Sequence, residues 1–349
     1  MSSSTTPRER RDEDAFPIVD VSALVDDADD AATDDVRREL GRAMSRAIQD
    51  GHGCFLIRRA RVASDARVAF AARDGDDTEC VLFDDLRRWF ARDEREKSRV
   101  GLRKGRGYQR LGENVTEGAP DAHEALDFYN PISQPFDAYD EPGTLRGPHP
   151  DVGDDALVRK VDTTAKWWLR LGRCMLAALA LAEDVPVGAF DAMTNESFWI
   201  MRLIHSPGAE DDEEKVSTGA HTDYGFLSFL DATASGLQVD CDGEWRDVPN
   251  IPGTVACNVG EMLQLFMEVD GVSAFKACRH RVVRRRDADA DAAKSRFSIA
   301  FFLEPNYDAC VAPRQLTADA NDPTYAARVV RYSEFLKSKV KTNFICPDD

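Results

Sequence analysis

From residue 198 onward the chain changes texture. Short apolar runs at 198–203, 227–230, 237–240, 245–248, 254–259, 277–283 and 297–303 follow one another at near-regular spacing. Turn signals divide them, among them Ser206-Pro207-Gly208, Ala234-Ser235-Gly236, Cys241-Asp242-Gly243-Glu244 and Pro249-Asn250-Ile251-Pro252-Gly253. Glycine supplies positive φ and proline a fixed φ, so these stretches end strands. Many short strands in succession close into a sandwich or barrel, a double-sheet jelly roll being one such form.

The first half reads differently. Thr33 can cap a helix running to about residue 49, with Val36, Leu40, Met44 and Ile48 along one face. Gly51-His52-Gly53 stops it, which makes His52 part of a helix-to-strand turn. A broken helical region spans 64–97. A long helix over 155–183 carries Val158, Val161, Ala165, Trp168, Leu169, Leu176, Leu179 and Ala180 on one side, as backing for a sheet. A last helix is expected at 324–340. The class is α+β: 16–195 helix-rich, 196–310 a jelly-roll core, all within one domain at 16–340, after a disordered tail at 1–15.

One strand-like run opens with His221-Thr222-Asp223. In an extended chain residues i and i+2 share a face, so the imidazole and the carboxylate would project side by side. Two histidines and one carboxylate form the open ligand set of non-haem Fe(II) oxygenases. The pair alone is weak: six histidines among 63 acidic residues in 349 give about one such pair by chance. A second pair, His149-Pro150-Asp151, lies in a Pro/Gly-rich loop and reads as a solvated loop histidine. His123 falls in the irregular stretch 101–153 and reads as exposed. His205 reads as a surface or structural residue, or as a donor into the site.

His280, in Ala277-Cys278-Arg279-His280-Arg281-Val282-Val283, can supply the third ligand, or it is a hydrogen-bonded core histidine. Spacing alone leaves both open. The next strand adds weight. Arg296 and Ser298 share a face of Arg296-Phe297-Ser298-Ile299-Ala300-Phe301-Phe302-Leu303. An arginine facing a barrel interior is costly unless it meets an anion, and its planar fork matches a carboxylate. The competing reading is a salt bridge to an internal Asp or Glu.

Composition narrows the partners. A net charge of -18, clustered at 26–30, 74–77, 210–214 and 287–291, repels nucleic acid and anionic lipid. No apolar run spans a bilayer, and the polar start has no signal-peptide core. The eight cysteines form no Cys-x-x-Cys, so neither a disulfide framework nor a zinc site is expected. The expectation is a cytoplasmic protein, a monomer or weak oligomer, acting on a small molecule.

Taken together, His221, Asp223, His280, Arg296 and Ser298 resemble the isopenicillin-N-synthase-like family of Fe(II)- and 2-oxoglutarate-dependent oxygenases. The likeness extends over about residues 16 to 340. Its pieces come in family order: Phe16-Pro17-Ile18-Val19-Asp20, Gly51-His52-Gly53-Cys54-Phe55, Trp89-Phe90, Gly107-Tyr108, Glu124-Ala125-Leu126-Asp127-Phe128, Met201-Arg202-Leu203, His221-Thr222-Asp223-Tyr224-Gly225, Asn258-Val259-Gly260-Glu261 and His280-Arg281-Val282-Val283. The resemblance implies a double-stranded β-helix core with Fe(II) on His221, Asp223 and His280. It further implies that Arg296 and Ser298 bind the far carboxylate of 2-oxoglutarate, with O2 as oxidant and ascorbate as a stimulant. Hydroxylation of a small metabolite, or its desaturation or cyclisation, would release succinate and CO2.

The chain departs from the family at Ile204 and Ser206, where many relatives carry Asn and Tyr that hold the keto acid. The stretch 266–273 also differs, and 210–216 looks like an insertion. Two alternatives stay open: a family oxidase that uses O2 without 2-oxoglutarate, and a catalytically silent jelly-roll binding protein. Candidate substrate contacts are Tyr108, Phe128, Tyr129, Phe198, Phe266 and Phe302, the last sharing a strand face with Arg296 and Ser298.

Overall fold

Two β-sheets face each other across an apolar interior, and a layer of helices covers the outer side of the larger one. The computed structural model describes residues 16–24, 33–58, 81–131, 145–186, 188–208, 215–284, 295–316 and 323–343. The expected tail, the four acidic clusters and most of the broken helical region at 64–80 lie outside the described residues.

The chain begins with β1 (Ile18–Asp20), α1 (Asp34–Asp50), β2 (Cys54–Arg58), α2 (Val81–Phe90) and α3 (Glu94–Lys97). Then come β3 (Gly107–Gln109), the hairpin of β4 (Val115–Thr116) and β5 (Ala119–Pro120), β6 (Glu124–Tyr129), α4 (Asp155–Ala182) and α5 (Ala189–Thr194). The strand-rich part holds β7 (Ile200–Pro207), β8 (Lys215–His221), β9 (Leu227–Ala232), β10 (Leu237–Cys241), β11 (Glu244–Asp247), β12 (Thr254–Val259), α6 (Glu261–Phe266), β13 (His280–Arg284) and β14 (Ser295–Leu303). It closes with β15 (Cys310–Val311), α7 (Pro323–Arg328), β16 (Val330–Arg331) and α8 (Tyr332–Asn343).

The major sheet has the order β1-β2-β12-β9-β14-β7-β6-β3, and the minor sheet β11-β10-β13-β8. This is the expected jelly-roll core with flanking helices. Strand alternation then assigns every side chain in the major sheet to one of two faces. Phe297, Ile299, Phe301 and Leu303 of β14 face the helices, where Trp168 of α4 packs on Phe301 and Phe229 at ring separations of 5.7 and 6.1 Å. Arg296, Ser298, Ala300 and Phe302 take the opposite face. There Leu56, Leu230 and Ala256 meet Leu237, Val239 and Val282 of the minor sheet.

Local chemistry sets the helix ends. The Thr33 hydroxyl accepts from Val36 N at 3.4 Å, and Asp154 accepts from Leu157 N at 3.0 Å at the start of α4. His52 adopts φ 52° in the turn that ends α1, as expected for a helix-to-strand reversal.

Two expectations need correction. The strand β8 has no counterpart in the sequence reading, because Lys-Val-Ser-Thr-Gly-Ala-His is polar and lacks an alternating apolar face. His221 therefore ends one strand, and Asp223 follows in the turn to β9, rather than both opening an apolar run. The expected helix at 324–340 is interrupted where Val330 pairs with Val311.

Helix α1 crosses α4 at Gly41, where an added Cβ would overlap the Ala178 carbonyl oxygen and lie 2.8 Å from Ala182 Cβ. Gly41→Ala should therefore lower stability by about 1–3 kcal/mol through overpacking. A reduced urea midpoint with unchanged m-value checks this.

Candidate metal centre

The pairing of β8 with β13 sets His221 opposite His280. Their rings lie 4.3 Å apart, centroid to centroid. Asp223 turns back between them: its Oδ1 is 3.7 Å from His221 Nε2 and 3.8 Å from His280 Nε2. Donor atoms of the three residues all lie within 4.8 Å of one another, a spacing one ion can bridge. Among the described residues no other group of His, Cys, Asp and Glu converges in this way.

The tautomers are fixed by the backbone. His221 Nδ1–H donates to Gly219 O at 2.8 Å, and His280 Nδ1–H donates to Cys278 O at 3.0 Å. A carbonyl can only accept, so both Nε2 lone pairs are left to point at the centre of the triad. Burial, and then the neighbouring His280, pull the His221 pKa down to about 4, which keeps this imidazole neutral and able to ligate at neutral pH. Asp223 is buried, and a buried carboxylate is costly unless a cation joins it.

The turn that carries Asp223 is tied to the first turn of α6. Glu261 N donates to Asp223 O at 2.8 Å, and Met262 N donates to Gly225 O at 3.0 Å. Thr222 and Lys339 both donate to Glu261 Oε1 at 2.7 Å. Gly225 is required by space: a Cβ there would overlap Glu304 Oε2 and lie 2.6 Å from Leu303 O.

On the same inner face, Arg296 Nη1–H donates to Ser298 Oγ at 2.8 Å and Nε–H to Ala234 O at 3.0 Å. No carboxylate pairs with this buried guanidinium among the described residues, so the competing salt-bridge reading finds no acid. Burial lowers its pKa to about 10, which leaves it charged at neutral pH. It borders a cavity with about 330 Å³ of empty volume, lined also by Leu56, Leu230, Leu237 and Ala256. A buried, charged arginine without an acid of its own, beside a cavity, fits the carboxylate of a keto acid. The register sets Ile204 opposite Ser298 and Ser206 opposite Arg296, with Ser206 Oγ accepting from Ser217 Oγ at 2.9 Å.

Over the triad opens a cleft with about 660 Å³ of empty volume, walled by β6, β7, the end of β14 and α8. Of the six aromatic candidates, Tyr129 and Phe302 line it. The other four do not. Tyr108 and Phe128 sit on the helix-facing side: Tyr108 Oη donates to Glu94 at 2.9 Å, and Phe128 packs against His149. Phe198 packs on Tyr307 at 4.8 Å, and Phe266 packs against Phe190 at 4.9 Å. Aromatic identity alone could not tell one sheet face from the other.

Three charged residues in the cleft went unread. Arg202 Nε lies 3.1 Å from Asp127 Oδ1, and Arg202 Nη2–H donates to Gln109 Oε1 at 2.7 Å and to Asn114 Oδ1 at 3.1 Å. Burial pushes the Asp127 pKa up to about 6 against the pull of Arg202. Glu304 Oε2 accepts from Tyr332 Oη at 2.6 Å, and burial pushes its pKa up to about 8. A signal existed for each: a charge inside an otherwise apolar strand, or, for Glu304, the next even position after Phe302.

The remaining histidines have other settings. His149 is not solvated; it is 14 % exposed, its Nε2 lies 2.9 Å from Asp162 Oδ1, and its ring packs on Phe128. His123 is buried rather than exposed, with Nδ1 3.2 Å from Ser217 O. Both belong to strand-side packing that a loop-like sequence conceals. His205 is structural, stacked on Phe297 at 4.6 Å with Nδ1 2.7 Å from Glu124 Oε1.

Removing one donor should cripple ion binding. His280→Ala is expected to weaken Fe(II) or Co(II) affinity by on the order of 100-fold or more, by extension from the 10–100-fold cost of losing only an outer-shell partner. Anaerobic metal titration, with circular dichroism to verify the fold, measures this.

Residues 197–305 match the family model of the 2OG-Fe(II) oxygenase superfamily. A rice protein named homoarginine-6-hydroxylase is 32% identical, over 95% of this chain and 98% of its own length. A soybean protein of the same name is 31% identical over the same shares. In structure, the chain is similar to a full-length Neurospora crassa protein solved in complex with alpha-KG, with TM-score 0.71 and 22% identity, covering 93% of this chain and 96% of that one.

Proposed function

We propose that this chain, which belongs to the 2OG-Fe(II) oxygenase superfamily, hydroxylates a small organic molecule with release of succinate and CO2. It is a dioxygenase that uses Fe(II) and 2-oxoglutarate. The observation that carries the finer reading is the pairing of a three-donor centre with a buried arginine that has no acid of its own. Iron with the keto acid and O2 supplies the oxidation of a C–H bond.

The chain's residues do the rest. His221, Asp223 and His280 would hold the metal on one side and leave its other positions open. Arg296 and Ser298 would bind the distal carboxylate of 2-oxoglutarate by charge-assisted hydrogen bonds. With an apolar Ile204 and a short Ser206 nearby, that anchoring rests chiefly on Arg296. Arg296 itself is buried, which strengthens its attraction for an anion. Tyr129, Phe302 and the polar cleft residues would orient the substrate over the open side of the metal. The full-length relatives are named for homoarginine, and a basic amino acid is the substrate class we carry over to this chain.

Anaerobic addition of Fe(II) and 2-oxoglutarate should produce a weak visible charge-transfer band. Arg296→Ala should raise the 2-oxoglutarate concentration needed for it by roughly 10- to 100-fold, the worth of hydrogen bonds to a charged group. Substrate-dependent O2 uptake without succinate would overturn the 2-oxoglutarate reading in favour of an oxidase.

A further inference from the structure

The cleft beside the metal centre holds one carboxyl group that no cation among the described residues matches. Asp127 is matched by Arg202 at 3.1 Å, and Asp223 belongs to the metal triad. Lys339 of α8, which lies over the ring of the cleft residue Tyr224, is engaged by Glu261 at 2.7 Å. Glu304 is left with a phenol: Oε2 accepts from Tyr332, and Oε1 has no hydrogen-bond partner among the described residues. The residue is 1 % exposed, yet it lines the cleft. A carboxylate held this far from water is costly in its charged form unless a cation meets it.

We propose that Glu304 selects the substrate by charge, its Oε1 binding a guanidinium or ammonium group that enters the cleft beside the metal. This deepens the hydroxylase reading above and rests on it for the identity of the cleft as the substrate site. The placement is specific. Glu304 lies directly against Gly225, two residues from Asp223. A cation seated on it therefore shares the cleft with His221 and Asp223. Glu304 also continues the even-numbered face of β14 that carries Arg296, Ser298 and Phe302. One strand thus presents a cation for the keto acid at one end and an anion for the substrate at the other. Tyr332 fixes the carboxylate plane, so little ordering entropy is left to lose on binding.

The test compares L-homoarginine with its neutral ureido counterpart, L-homocitrulline, by anaerobic calorimetry on the full chain with Fe(II) and 2-oxoglutarate present. The wild-type protein should bind the guanidino compound roughly 10- to 100-fold more tightly, the range for hydrogen bonds to charged groups. Glu304→Gln keeps the shape and an acceptor for Tyr332 while removing the charge, and it should bring the two affinities to within about 3-fold of each other. The ratio does not depend on the fraction of folded protein, and the charge-transfer band of the same samples reports the metal centre. A wild-type protein that binds both compounds equally overturns the proposal, as does an E304Q protein that keeps the full preference. Loss of the band in the wild-type protein overturns the oxygenase reading instead, leaving the charge preference to be judged from the same titrations.

Discussion

The antiparallel pairing of β8 with β13 is the contact on which the site depends. It places two histidines distant in sequence side by side, and a single further turn brings in the carboxylate. Neither strand is apolar enough to hold its register alone. The minor sheet does so by packing its inner side chains, Leu237, Val239 and Val282, against Leu56 and Ala256 of the major sheet. A one-residue slip would send every side chain on β13 to the other face and remove His280 from the centre. The apolar interior and the ligand geometry are therefore one constraint, met once.

Strand alternation divides labour across the major sheet. Its helix-facing side buries Phe229, Phe301 and Leu303 under α4 and supplies most of the stabilising apolar area. That leaves the inner side free to carry groups that a stability-driven core would exclude: Arg296, Ser298, Asp127 and Glu304, all buried, and the half-buried Arg202. Buried charges of this kind destabilise a fold unless compensated. Asp127 and Arg202 compensate each other, whereas Arg296 and Glu304 do not, and such uncompensated groups are where ligands belong.

Much of this was legible in the sequence, and the reasons for the gaps are physical. Thr33, Asp154 and the apolar stripe of 155–183 marked helices whose ends follow from capping. The triad and the Arg-x-Ser pair were visible because ligand chemistry restricts residue type. The strand β8 was hidden because its side chains are small or polar: its stability comes from pairing, which leaves no periodic trace. The fates of Tyr108 and Phe128 turned on which sheet face they occupy, fixed by the partner strands β3, β6 and β7. His149 looked like a loop residue, yet its hydrogen bond with Asp162 and its packing on Phe128 depend on the position of α4.

The C-terminal helix ties these parts together. Tyr332, Leu336 and Val340 recur at spacings of four, and Lys339 lies three beyond Leu336, so they share one side of α8. Leu336 and Val340 wall the cleft. Tyr332 holds the Glu304 carboxylate, and Lys339, through Glu261 and Thr222, braces the turn of Asp223. One helix thus positions a group assigned to the metal and a group assigned to the substrate. Displacing α8 would disturb both at once, whereas Arg296, deep in the barrel, is held by Ser298 and Ala234 and stands apart from it. The arginine assigned to the keto acid is thus held by the barrel itself, while the shape of the cleft is lent by an element that packs on from outside.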